Sequence, residues 1–317
     1  MIKIAQIGCG YWGPNLLRNF HQNSNCEVVA VADPSQSSRE KIQALYPDLK
    51  VIETPDSLFE DPSIQGLVIA APARFHFELT KTALEAGKDV LVEKPLALTY
   101  TEGKQLVDIA AQKQSILMVG HILEYHPAIL KIRELLETNQ LGKLQHIRST
   151  RLNLGKIRHE ENVLWSFAPH DIAIIQRLTG SQPTNLKVTA QTHLQEGIAD
   201  TIHADLIFPE NVHAHLHVSW FEPVKEQKLT VVGDKAMCTY DDVTKQLLLY
   251  QHELDESTVP PTPTKAQAQQ LSFEALEPLV QECQAFISSI DTRVPPLTDG
   301  QSALEVLHTL ESIQSHI

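Results

Sequence analysis

The sequence predicts two domains. Residues 1–122 read as a parallel α/β sheet with helices on both faces, and residues 123–317 as an α+β domain with a large, mostly antiparallel open sheet. Three observations carry this. Through the first 120 residues, apolar runs of strand length alternate with helical periods, the signature of a parallel sheet buried on both faces. Beyond residue 123 the texture changes to period-two alternation, which marks antiparallel strands. Two amphipathic helices then close the chain.

In chain order, Ile2, Ile4 and Ile7 form a buried strand, and a helix begins near Asn15. Val28–Ala32 is a second strand, residues 35–46 a helix and Gly66–Ala71 a continuous apolar strand. The helix over 75–86 buries Leu79, Ala83, Leu84 and Ala86 and ends at Gly87. Asp89–Val92 is a strand, Thr99 opens a helix with the stripe Leu106, Ile109 and Ala110, and Ser115–Val119 is the last strand of the domain. In the second half a helix over 127–138 precedes strands at 144–154, 184–192, 201–208, 213–220, 228–232 and 236–240. Residues 255–268, rich in proline and low in complexity, read as an exposed loop. The closing helices carry Leu279, Val280, Cys283, Phe286, Ile287 and Ile290, then Leu304, Leu307 and Leu310.

The first turn is the most informative stretch. The strand ending at Ile7 runs into Gly8-Cys9-Gly10-Tyr11-Trp12-Gly13, and Asp33 ends the next strand twenty residues later. A dinucleotide needs this spacing: Gly8 for a tight turn, Gly10 for close approach of a pyrophosphate, Gly13 for packing of helix on strand. The phosphates then sit on free N–H groups at the helix N-terminus. Asp33 is placed to accept the hydroxyls of an adenosine ribose and would repel a 2′-phosphate, so the expected cofactor is NAD. Tyr11 and Trp12 should flank it. The first domain is therefore expected to be an α/β Rossmann domain. In such folds ligands lie at the carboxyl ends of the strands, which groups Pro72, Glu93, Lys94 and His121 around one crevice.

Composition narrows the function further. The 317 residues carry a formal net charge of −13, which argues against a nucleic-acid or anionic-membrane partner. Cys9, Cys26, Cys238 and Cys283 are widely spaced without a C-x-x-C pair, as expected for free thiols in a reducing cytoplasm. A strand starting at residue 2 leaves no room for a signal peptide, and no apolar run reaches bilayer length.

Lys94 beside a bound nicotinamide could hydrogen-bond a substrate hydroxyl and ease its deprotonation as hydride leaves. The combination GCGYWG with Asp33, AAPARFH, GKDVLVEKPLALT and a later antiparallel half resembles the glucose–fructose oxidoreductase/inositol dehydrogenase family over essentially the whole chain. The resemblance implies that Lys94 is catalytic and that the Lys94–Pro95 bond is cis. It implies a cofactor shell of Gly8, Gly10, Tyr11, Trp12, Gly13, Asp33, Ala71, Pro72, His76, Glu93, Lys94 and His121. A second family motif, Asp then His four positions on, matches at His170, the implied acid/base, but Ser166 stands where the assisting aspartate is usual. Asp171 should point elsewhere from a helix and cannot replace it.

From Lys143 to His159 there are five cations, Lys143, Arg148, Arg151, Lys156 and Arg158, and no acid. Strand alternation puts Arg151 and Asn153 on one face and Arg148 on the other. Such a cluster suits a diphosphate or a carboxylate. The stretches RLNLGKIR, LW, APHD, HVSW and LTVVG resemble the nucleotide-sugar branch of the family, whose members oxidise the 3-hydroxyl of UDP-N-acetylglucosamine or of its uronic acid. That resemblance implies a UDP-sugar substrate held by Lys94, Arg151, Asn153, Arg158 and His170. It also implies a product aminated by a separate PLP enzyme, in amino-sugar, lipid A or surface-polysaccharide synthesis. Inositol or simple-sugar dehydrogenation and an inactive NAD-binding regulator are the alternatives. His213, His215 and His217 alternate along one strand face, but no nearby Cys, Asp or Glu completes a site, and no metal is expected. A homodimer or homotetramer is expected through an apolar open sheet face carrying Val218, Trp220, Leu229 and Val231.

Overall fold

The computed structural model describes residues 1–317 except 156, 252, 256, 265 and 266, with backbone alone for 253–255, 263 and 264. The chain divides into two units, one of residues 1–125 and 276–308 and the other of residues 126–275 and 309–317.

The first unit opens with β1 (Ile2–Ile7), α1 (Gly13–Gln22), β2 (Cys26–Ala32), α2 (Gln36–Leu45), β3 (Lys50–Ile52) and α3 (Asp56–Glu60). It continues through β4 (Gly66–Ile69), α4 (His76–Glu85), β5 (Asp89–Glu93), α5 (Tyr100–Lys113) and β6 (Leu117–Gly120). The six strands form one sheet in the order β3-β2-β1-β4-β5-β6. Every pairing in it is parallel. The order reverses between β1 and β4, the switch point at which such sheets bind ligands. Val68, Leu91, Met118 and Val119 are fully or almost fully buried because helices cover both faces. The short β3 and α3 add elements that the sequence pattern does not announce.

The second unit contains α6 (Pro127–Glu137), β7 (Leu144–Leu152), α7 (Val163–Thr179), β8 (Asn185–Gln191), β9 (Thr201–Ile207) and β10 (His213–Ser219). Then come β11 (Glu226–Gly233), β12 (Ala236–Asp241), β13 (Gln246–Gln251), β14 (Glu253–Asp255), β15 (Thr262–Thr264) and β16 (Ala268–Leu271). Eight strands form a sheet in the order β16-β13-β12-β11-β7-β10-β9-β8, with β14 and β15 paired apart. Only the central β7–β10 pair is parallel. The proline-rich segment expected as a loop thus holds β15 within it, with β14 ending and β16 beginning at its limits. Pro263 sits in a strand with one neighbour, where a residue without an N–H is tolerated.

Two expectations need correcting. The first is the domain boundary: α8 (Pro278–Thr292) and most of α9 (Gly300–Gln314) belong to the first unit. Leu279, Cys283, Phe286, Ile287 and Ile290 of α8 join Leu16, Leu17 and Phe20 of α1 in one apolar cluster, with Phe20 and Phe286 edge to face at 6.2 Å. Arg293 at the end of α8 donates to both oxygens of Asp89 at the start of β5, at 2.7 and 3.0 Å. Periodicity reveals an amphipathic helix but not the sheet it covers. The second is the interface. Val218, Trp220, Leu229 and Val231 are at most 5% exposed within the second unit, on the face that α7 covers. The opposite face carries His203, Asp205, Arg148 and His215, all exposed, so it is polar rather than apolar.

Candidate active site

Gly8 has φ +95°, and a Cβ there would lie 2.7 Å from the Ala70 carbonyl, so both backbone conformation and the close β1–β4 approach demand glycine. A Cβ on Gly13 would lie 2.4 Å from the Gly8 oxygen, which is how α1 comes so near its strand. Gly10 differs: a Cβ there would meet nothing within 4 Å. The protein itself places no demand on that position, and the open space is what a pyrophosphate would fill. No side chain caps α1, and Pro14 in its first turn removes one N–H that would need a partner. The remaining free N–H groups suit an anion. These residues fit a dinucleotide.

Gln6 is a functional residue that sequence reasoning missed. Its buried amide donates to Gly8 O at 2.8 Å and Gly13 O at 2.9 Å, pinning both sides of the glycine turn. The available signal was an amide between Ala5 and Ile7, in the apolar end of the strand just before the turn. Asp33 is 6% exposed at the end of β2. It accepts from Cys9 N at 2.6 Å through Oδ2 and from Ser35 N at 2.8 Å through Oδ1. A carboxylate has about four acceptor sites, so two remain for ribose hydroxyls. Arg39 donates to the Asp33 and Pro34 carbonyls at 2.8 and 2.9 Å and lies 3.7 Å from Glu53. Burial, and then the Asp33 charge, push the Cys9 thiol up to about 12, so it stays protonated. Tyr11 is 98% exposed and Trp12 half-buried.

β4 and β5 lie side by side, with Ile69 opposite Val92, so their exits are neighbours. Ala71 and Pro72 follow β4, half-buried and exposed respectively. Lys94 follows β5, half-buried, and the Lys94–Pro95 peptide is cis. Glu93 pairs with Gly120 of β6 in the register, and a Cβ on Gly120 would come within 3.0 Å of the Glu93 carboxylate. Burial raises the Glu93 pKa to about 7, against the opposing pull of the Lys94 ammonium and a hydrogen bond from Trp12. Glu282 of α8 is fully buried, and burial together with Glu93 and Glu124 raises its pKa well above the ordinary glutamate value. His121, at the exit of β6, is 2% exposed. His76 is 1% exposed with both ring nitrogens against backbone carbonyls, so it is sealed from a ligand and does not join the cofactor shell expected of it.

In the second unit, α7 starts at the Asn162 cap, whose side chain accepts from Leu164 N, and ends at Gly180 with φ +64°. His170 lies half-buried in this helix, one turn after the buried Ser166. Asp171 points to β7, as its helix position required. It accepts from Ser149 Oγ at 2.6 Å and bidentately from Arg151, at 2.6 Å from Nε and 3.2 Å from Nη2. Burial works against the Arg151 charge, but Asp171 outweighs it and holds the guanidinium above its ordinary pKa. Arg151 is therefore an internal tie rather than the diphosphate ligand expected of it. Its partner sits 20 residues away in sequence, and only the packing of α7 on β7 brings the two together.

The other cations differ. Arg158 is exposed and pairs with Glu161 at 2.6 Å, Lys143 pairs with Glu210 at 2.9 Å, and Arg148 is exposed on the opposite face of β7. Lys156 lies outside the described residues. Asn153, half-buried, donates its backbone N–H to Ser219 O at 3.1 Å. His213, His215 and His217 do share one face of β10: His215 bonds Asp205, and His217 stacks on His203 at 3.9 Å. Among the described residues no group of three or more His, Cys, Asp or Glu is arranged to hold a metal ion.

Residues 2–121 match the model of an oxidoreductase family with an NAD-binding Rossmann fold, and residues 129–239 match the GFO/IDH/MocA C-terminal domain. The chain belongs to the GFO/IDH/MocA family. It is 23% identical over 309 residues to the UDP-N-acetylglucosamine 3-dehydrogenase of Acidithiobacillus ferrooxidans, covering 96% of this chain and 94% of that one. The solved structure of that protein superposes with a TM-score of 0.88 at 20% identity, over all of this chain and 97% of the other. An oxidoreductase of Streptococcus pneumoniae is 26% identical over 66% of this chain, and the 2,7-anhydro-N-acetylneuraminate hydratase of Mediterraneibacter gnavus 25% over 68%. The matched stretches span only 58% and 60% of those two relatives. Residues 2–121 are thus a family member's NAD-binding Rossmann fold, and no helix among the described residues is long and apolar enough to cross a membrane.

Proposed function

We propose that the protein is an NAD-dependent dehydrogenase of a UDP-activated amino sugar, oxidising the 3-hydroxyl of UDP-N-acetylglucosamine to the ketone. The observation that carries the dehydrogenase reading is Lys94, half-buried where β5 leaves the parallel sheet, on the strand edge that serves ligands in this fold. NAD, when bound, supplies the acceptor for a hydride. The Gln6-pinned glycine turn holds the pyrophosphate, and Asp33 accepts from the adenosine ribose. The Lys94 ammonium hydrogen-bonds the substrate hydroxyl and lowers the cost of its losing a proton. His170 takes that proton, the general-base role open to an imidazole.

The substrate reading is supported by the near full-length likeness to a UDP-N-acetylglucosamine 3-dehydrogenase and by the cation-rich stretch 143–159. With Arg151 committed to Asp171, Arg158 is the first candidate for the diphosphate and Asn153 for the sugar or its acetamido group. The ketone then suits amination by a PLP enzyme. The test offers the purified protein NAD with UDP-N-acetylglucosamine, its uronic acid, free N-acetylglucosamine and inositol, and reads NADH formation. NADH with UDP-N-acetylglucosamine alone is the expected result. Preference for the uronic acid would move the assignment at C6, and turnover of free sugars or inositol would overturn the nucleotide-sugar reading.

A further inference from the structure

We propose that His76 is a positioning residue for Lys94, an inference that rests on the reading of Lys94 as catalytic. His76 is the first residue of α4 and is 1% exposed. Its Nδ1 lies 2.7 Å from the carbonyl oxygen of Pro95, the residue after Lys94. Its Nε2 lies 2.8 Å from the carbonyl oxygen of Ala71, two residues past the end of β4. One imidazole thus spans the exits of two adjacent strands.

The chemistry of the ring makes this more than packing. Both contacts are to acceptors, so only the doubly protonated ring donates to both at once. Burial lowers the His76 pKa, the two carbonyls oppose that and the Lys94 ammonium adds to it, so the balance falls below the ordinary histidine value. The neutral ring has one N–H to give to either carbonyl. The Lys94 charge is close enough to be felt at the ring, so the lysine and its brace are coupled by charge as well as by backbone.

On the far side of Lys94, Glu93 accepts from Trp12 in the glycine turn, and further on Leu96 and Ala97 are buried. The main chain is therefore anchored before and after Lys94. His76 adds a tie at Pro95, the residue after Lys94, and links it to Ala71 at the β4 exit, next to the Ala70 carbonyl that abuts Gly8. Losing it takes the one ring N–H from the two carbonyls it lies between and frees the peptide that aims the lysine. A misplacement of about 1 Å at a reacting group costs roughly a hundredfold in rate.

The test uses His76→Ala, His76→Gln and Lys94→Ala, alone and combined, in the full-length protein. Lys94 is read without substrate by reductive methylation with isotopically labelled methyl groups, its resonance assigned by its loss in Lys94→Ala. In His76→Ala the Lys94 resonance should move and broaden, and in His76→Gln, whose amide can reach one carbonyl, it should stay near wild type. NADH affinity by fluorescence should change less than about threefold, while kcat falls roughly ten- to a hundredfold. In the Lys94→Ala background, His76→Ala should have little further effect on kcat, because the two act as one unit. An unchanged Lys94 resonance in both folded variants, or an equal loss of kcat with and without Lys94, would overturn the proposal. Wild-type turnover by Lys94→Ala alone would instead remove the catalytic reading on which it rests.

Discussion

Arg151→Met separates the two roles open to this arginine. In the pair it makes, the Asp171 side chain is 3% exposed and the Arg151 side chain 13%. Methionine keeps the aliphatic stem and deletes the charge, leaving the carboxylate buried with Ser149 Oγ as its remaining side-chain partner among the described residues. Breaking a buried pair from one side costs about 3–5 kcal/mol. Urea unfolding followed by tryptophan fluorescence should therefore show a deficit of about 4 kcal/mol at pH 7. Arg151→Met with Asp171→Leu should recover most of it, since two apolar partners leave no charge stranded. A deficit under about 1 kcal/mol at pH 7, together with a tenfold rise in KM for the UDP-sugar, would return Arg151 to the diphosphate and refute the tie.

Four further outcomes are expected. Lys94→Ala and His170→Ala should each lower kcat by roughly 10²–10⁴-fold with NADH affinity nearly intact, and wild-type turnover by His170→Ala would place the base elsewhere. NADH should bind more tightly than NADPH in a fluorescence titration, and Asp33→Ala should relax the preference because it removes the carboxylate that would repel a 2′-phosphate; tighter NADPH binding by wild type would sink the ribose argument. Glu282 holds its proton in the folded state to higher pH than in the unfolded chain, so its contribution is fully present below about pH 4.3 and is lost as the pH rises through the folded value. Glu282→Gln should then match wild type near pH 4.5 and exceed it in urea stability at pH 8; lower stability at pH 8 would show that the carboxyl is charged and paired. Self-association is expected on the polar face of the eight-stranded sheet that carries His203, His215 and Arg148, and light scattering from a monomer at micromolar concentration would count against it.

What was legible in the sequence follows from the range of the forces involved. The glycine turn, Asp33, the strand exits and the Lys94–Pro95 turn are set by near neighbours, and each appears where its local spacing put it. His76, Arg151 and the interface residues were misjudged for a common reason. A histidine in a motif, an arginine on a strand and a Val-Trp stripe each look available in one dimension, and whether they are available depends on what packs over them. Asp171 was read correctly because the question was only which way it points from its own helix.

The sequence by itself determined the parallel sheet, the dinucleotide turn and the change to antiparallel texture, because apolar periodicity and glycine geometry act within a few residues. The tertiary structure alone returns α8 to the first unit, commits Arg151 to Asp171, sets His76 against the Pro95 and Ala71 carbonyls, and brings Glu93, Glu124 and Glu282 into one buried neighbourhood. Those outcomes turn on desolvation and pairing between groups far apart in the chain. The cost of burying a charge or a carbonyl is fixed by what packs against it, which no local pattern contains.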